Sequence, residues 1–63
     1  MSSSEKEMWE SSIEDAASRV TAEYGSAVAA SVFERHGAHN FEDLSPIYYS
    51  EVFADLQQIA TDN

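Results

Sequence analysis

Three residues in this 63-residue chain break the backbone strongly: Gly25, Gly37 and Pro46. Between them the apolar residues recur every three or four positions, and no stretch alternates with the period of a strand. The first segment carries Trp9, Ile13, Ala16, Val20 and Tyr24 in one stripe, with Glu7, Glu10, Glu14 and Arg19 off it. Ser4 followed by Glu7 reads as a capping box, and acidic residues in the first turn suit the helix dipole. The second segment opens on Ser26 as its cap and places Val28, Ala29, Val32, Phe33 and His36 on one face, with many small residues to admit a close neighbour. The third opens on Ser45-Pro46, a cap followed by proline at the first helical position. It carries the most regular stripe, Tyr49, Val52, Phe53, Leu56, Ile59 and Ala60.

Stop signals agree with this division. Gly25 and Gly37 are placed to take the left-handed conformation that ends helices, and Ala38 is then placed to fold back on Phe33. Asn40 is positioned to cap a turn that tucks Phe41 and Leu44 inward, and Leu44 before the proline pairs with Tyr49 as a hydrophobic staple. The expected fold is all-α, a small three-helix bundle with helices about 4–24, 26–36 and 46–60 and a short turn at 40–44. One domain spans residues 1–63, with 1–3 and 61–63 frayed. Its expected core is Trp9, Ile13, Val20, Val28, Val32, Phe33, Phe41, Leu44, Tyr49, Val52, Phe53, Leu56 and Ile59.

Charge limits what such a bundle touches. Twelve Asp and Glu face three Lys and Arg, a formal charge of −9. Nucleic acid and anionic membranes both demand cations opposite their phosphates, so neither is an expected direct partner. The absence of cysteine removes disulfides and thiolate metal sites. No signal-peptide pattern opens the chain, and the longest uncharged stretch, Tyr24 to Phe33, is too short to span a bilayer. A cytoplasmic setting is the expectation. A core this thin in so short a chain points to a partner as a further source of stability, either a basic protein or a second copy as a homodimer.

Chemistry-bearing constellations are few. His36 and His39 lie near Glu34 and Asp43, and imidazoles with carboxylates hold zinc when they converge. Gly37 between the histidines breaks a shared face, so His36 reads as a partner for the helix dipole, His39 as a loop residue, and no metal or cofactor is expected. No serine sits in a nucleophile elbow, and a bundle this thin has little room for a water-poor catalytic pocket, so no enzyme is expected. Adjacent helical residues point about 100° apart, so Tyr48 and Tyr49 cannot both face the core. With Tyr49 inward, Ile47 or Tyr48 is left as contact surface, and Trp9 with its neighbour Met8 is either an end plug or a sticky patch. Glu10 with Glu14 and Glu51 with Asp55 set carboxylates one turn apart, near the spacing of phosphates along a nucleic-acid strand. The expected contact residues are therefore Trp9, Ile47, Tyr48, Glu10, Glu14, Glu51 and Asp55. The leading expectation is a protein–protein interaction module; the alternative is a nucleic-acid mimic that inhibits a DNA-binding protein or nuclease.

The segments Ala22-Glu23-Tyr24-Gly25, Phe33-Glu34-Arg35-His36-Gly37-Ala38 and Leu44-Ser45-Pro46-Ile47-Tyr48-Tyr49-Ser50-Glu51-Val52-Phe53 resemble short acidic helical domains in proteins of gut-bacterial plasmids and conjugative elements. Those domains have no assigned activity. The resemblance implies a helical fold and a bacterial cytoplasmic protein of a mobile element, or a piece of a larger one.

Overall fold

The structure, a computed structural model, describes residues 2–61. It is a three-helix bundle: α1 spans Ser3–Tyr24, α2 spans Ser26–Glu34 and α3 spans Tyr49–Thr61, with a single 3₁₀ turn at Pro46–Tyr48 leading into α3. The bundle measures 34 × 20 × 15 Å. A helix of 22 residues is ~33 Å long, so α1 runs the full length and the other two helices pack on it. Trp9 near the start of α1 lies against Tyr49 and Phe53 of α3. Ser2, Ser3 and Lys6 share a surface hollow with Leu44, Pro46 and Tyr49. The starts of α1 and α3 are therefore at the same end, and the chain runs up, down and up.

Residues between the first and second helices reduce to one, Gly25, at φ 96° and ψ 158°. Its φ is positive as expected, but its ψ is extended, so it is not the left-handed residue the sequence implied. This region is open almost only to glycine. Because Gly25 both ends α1 and precedes α2, Ser26 is already inside the helix and does not cap it. At the other end of α2 the expected stop is present. Gly37 has φ 77°, its N–H donates to the Glu34 carbonyl, and the Ala38 N–H donates to the Phe33 carbonyl. These two bonds define the Schellman stop, and Ala38 is buried beside Phe33 in the core. α2 itself ends at Glu34, two residues before the expected boundary, because the Gly37 stop tightens the last turn.

Two other expected caps differ. Ser2, not Ser4, caps α1, its hydroxyl accepting the Glu5 N–H at 3.3 Å. Ser2-x-x-Glu5 has the same pattern as Ser4-x-x-Glu7, and the earlier start adds backbone hydrogen bonds to a helix already nucleated. Ser2 and Ser3 are thus part of the ordered start, and Thr61 closes α3 with its hydroxyl donating to the Gln57 carbonyl at 2.8 Å. Met1, Asp62 and Asn63, also expected to fray, lie outside the described residues. Ser45 stands at the N-cap position of the 3₁₀ turn, and its carbonyl takes the Tyr48 N–H at 2.9 Å, but its hydroxyl makes no capping bond.

The core comprises Ile13, Ala16, Val20, Ala29, Val32, Phe33, Ala38, Phe41, Leu44, Tyr49, Val52 and Leu56. Trp9, Val28, Phe53 and Ile59, expected within it, sit half-buried at its margin. Three alanines, Ala16, Ala29 and Ala38, take interior positions as well, two on the facing stripes of α1 and α2 and one in the turn that follows α2. Tyr24, on the α1 stripe by spacing, is 46% exposed.

Aromatic rings knit the lower end. Phe41 and Tyr49 stack at 4.8 Å, and Trp9 meets Tyr49 at 6.2 Å and the edge of Phe53 at 6.1 Å. These separations are in the favourable range for ring pairs.

Candidate functional site

The segment 38–45 descends from α2 to the start of α3 and is organised by one carboxylate. Asp43 accepts the backbone N–H of His39 at 3.0 Å and of Asn40 at 3.1 Å, and His39 Nδ1 lies 3.1 Å from it. Asn40 Oδ1 accepts the Glu42 N–H at 2.9 Å, the expected cap, and the Leu44 N–H closes the turn on the Phe41 carbonyl. Phe41 and Leu44 are thereby driven into the core as the sequence indicated. The amide of Asn40, then the side chain and amide of His39, hold the Asp43 pKa down from 3.8 to about 2. A group whose pKa is depressed on folding stabilises the fold above its unfolded value and loses that contribution as it is protonated. The turn is therefore intact above pH 3.8 and releases as pH falls through about 2. In an NMR titration the amide protons of His39 and Asn40 are expected to shift with a midpoint near 2; a midpoint near 3.8 would show an unbonded carboxylate.

By bringing α3 back beside the end of α2, this turn assembles a charged corner. His36, whose side chain is 17% exposed, lies with its ring 4.9 Å from that of Tyr48 and tilted by 31°. Its Nδ1 is 4.0 Å from a Glu51 carboxylate oxygen and its Nε2 is 3.7 Å from Asp55. Both distances are too long for hydrogen bonds, and the buried Nε2 has no hydrogen-bond partner among the described residues. Arg35 reaches the same Asp55 oxygen at 3.9 Å. The corner thus joins Tyr48, Glu51 and Asp55, three of the expected contact residues, to Arg35 and His36 in the turn just after α2. Ile47 stands just before them and is 74% exposed. Of the adjacent candidates, Ile47 is the exposed one and Tyr48 is half-buried against His36.

The remaining expected contact residues lie on α1. Glu14 is exposed and Glu10 half-buried. Trp9 is half-buried, backed by the aromatic cluster, and its neighbour Met8 is 69% exposed. Glu5, Met8, Trp9 and Ser12 surround an open hollow along α1. Asp15 and Arg19 pair at 3.3 Å on the same helix, an exposed bridge of little energetic weight.

The two histidines belong to different arrangements, His36 with Glu51 and Asp55 and His39 with Asp43. Among the described residues no group of three or more histidines and carboxylates is placed to hold a metal ion. Nor, among them, is any helix long and apolar enough to cross a membrane. The pairing of His36 with α3 had no signal in the sequence, because its partners are brought in by the turn. The Asp43 turn had one: Asn40 and Asp43 three apart, short acceptors that bond nearby amides.

Comparisons of the chain with models of known families, with curated proteins and with solved structures find no match.

Proposed function

We propose that this chain is an acidic interaction module that docks a basic protein and acts by contact, without a catalytic step. The observation that supports this is the pairing of large exposed apolar side chains, Met8 and Ile47, with an exterior of charge −9. An apolar centre with a charged rim is how protein interfaces are built, and the sign of the rim selects the partner. Two of the three cations, Arg19 and Arg35, are already engaged by the chain's own Asp15 and Asp55. The surplus carboxylates are left to face outward.

Charge also favours a basic partner over a second copy. Two copies with centres at about twice the 10.9 Å radius of gyration repel by about 1 kcal/mol at physiological salt and about 7 kcal/mol at 0.01 M. A cationic partner turns the same term into attraction. Sedimentation equilibrium is expected to give a 7.0 kDa monomer. Proteins captured by the immobilised domain are expected to carry net positive charge and to release as salt rises; a dimer, or a salt-indifferent acidic partner, would sink this reading.

The nucleic-acid mimic is the second reading, and the row Glu7, Glu10 and Glu14 along α1 favours it. Of the two rows noted in the sequence, Glu51 and Asp55 are drawn toward His36 and Arg35, which leaves the α1 row as the phosphate-like element. It predicts a DNA-binding partner from which duplex DNA displaces the module. The resemblance to acidic domains of mobile elements supports a bacterial cytoplasmic setting for either reading.

A further inference from the structure

We propose that the hollow beside Met8 and Trp9 receives one large apolar side chain from a cationic amphipathic helix of a partner protein. This rests on the interaction-module reading and names its docking point.

Glu5, Met8, Trp9 and Ser12 are spaced i, i+3, i+4 and i+7, so they line one face of α1. The hollow is open and holds about 210 Å³. Binding pockets for whole small molecules begin at about 300 Å³, so a single side chain fits where a cofactor does not. One wall is fixed: Tyr49 and Phe53 back the Trp9 indole. The other adapts, because Met8 is 69% exposed and a thioether chain turns freely. A rigid aromatic anchor beside a flexible one is the composition of an energetic centre in an interface.

Charge selects the occupant. Glu5 stands on the rim of the hollow and the whole molecule carries −9. That field repels a second copy, an anionic lipid surface and nucleic acid alike, and draws in a helix with lysine or arginine around its apolar stripe.

Trp9 is the chain's single tryptophan, so its emission reports on this site alone. The probes are a synthetic helical peptide of lysine and leucine with leucines on one face, and a lysine and serine peptide of equal charge. The amphipathic peptide is expected to shift Trp9 emission to the blue, and the control peptide to bind more weakly by calorimetry without that shift. Met8→Asp is expected to weaken the amphipathic peptide about tenfold although it adds attractive charge. Thr21→Asp adds the same charge on an exposed position far along α1 and is expected not to weaken it. Binding with no response of Trp9 or of Met8→Asp would overturn the hollow and leave the module reading standing. Failure of both peptides to bind would overturn both. A blue shift on concentrating the protein alone would assign the hollow to a second copy and overturn the cationic helix.

Discussion

Tyr49→Ala is expected to leave the chain unfolded at 25 °C. Tyr49 is among the largest fully buried side chains, stacks on Phe41 and meets Trp9 from α1. It is therefore the residue through which the 38–45 turn, α1 and α3 touch one another. Truncating a buried aromatic to alanine costs about 3–5 kcal/mol. A single core in a chain of this length supplies about the same amount in total. Far-UV circular dichroism is expected to lose its helical minima, and amide shifts to collapse toward random-coil values. Tyr49→Phe separates packing from polarity. The hydroxyl makes no hydrogen bond among the described residues, so removing it is expected to cost less than about 1 kcal/mol. A folded Tyr49→Ala protein would mean that the helices hold together without this hub.

Gly25→Ala is expected to lower stability by about 2 kcal/mol, a fall in Tm on the order of 10 °C. Nothing lies within 4 Å of where a β-carbon would stand, so the loss is backbone strain alone. Asparagine distinguishes this position from Gly37. Gly37 occupies the left-handed stop, which asparagine tolerates, and Gly37→Asn is expected to cost less than about 1 kcal/mol. At Gly25 the extended, positive-φ backbone excludes asparagine and alanine equally, so both substitutions are expected to melt together. Thermal denaturation of these three variants checks the pattern. Equal losses at both glycines would show that the α1–α2 hinge is not strained in the way its dihedral angles imply.

How much was legible follows from the range of each interaction. The Gly37 stop, with Ala38 folded onto Phe33, was readable because it is closed by bonds within six residues. So was the inward placement of Phe41 and Leu44, which a local turn controls. The cap of α1 was misplaced because Ser2 and Ser4 each stand three residues before a glutamate, and local pattern cannot rank them. The Ser45-Pro46 start signal was read as the start of an α-helix, whereas the chain enters α3 through a 3₁₀ turn at Pro46–Tyr48 in which the Ser45 hydroxyl makes no cap. At the candidate site, the sequence offered Ile47 and Tyr48 together and could not separate them. His36 separated them, by giving the Tyr48 ring a surface to stack on.

The sequence by itself determined three helices, where two of them stop, and a strongly acidic exterior, because periodicity, glycine placement and charge act over a few residues or none. Only the tertiary structure decided that Ala16, Ala29 and Ala38 join the core while Trp9 and Phe53 stand at its edge. It alone set Asp55 against Arg35 and His36, and left Met8 beside an open hollow. Those outcomes depend on how closely and at what height the helices pack. That is settled by the one-residue hinge at Gly25 and the turn at Asp43 acting across the whole chain, which no local window contains.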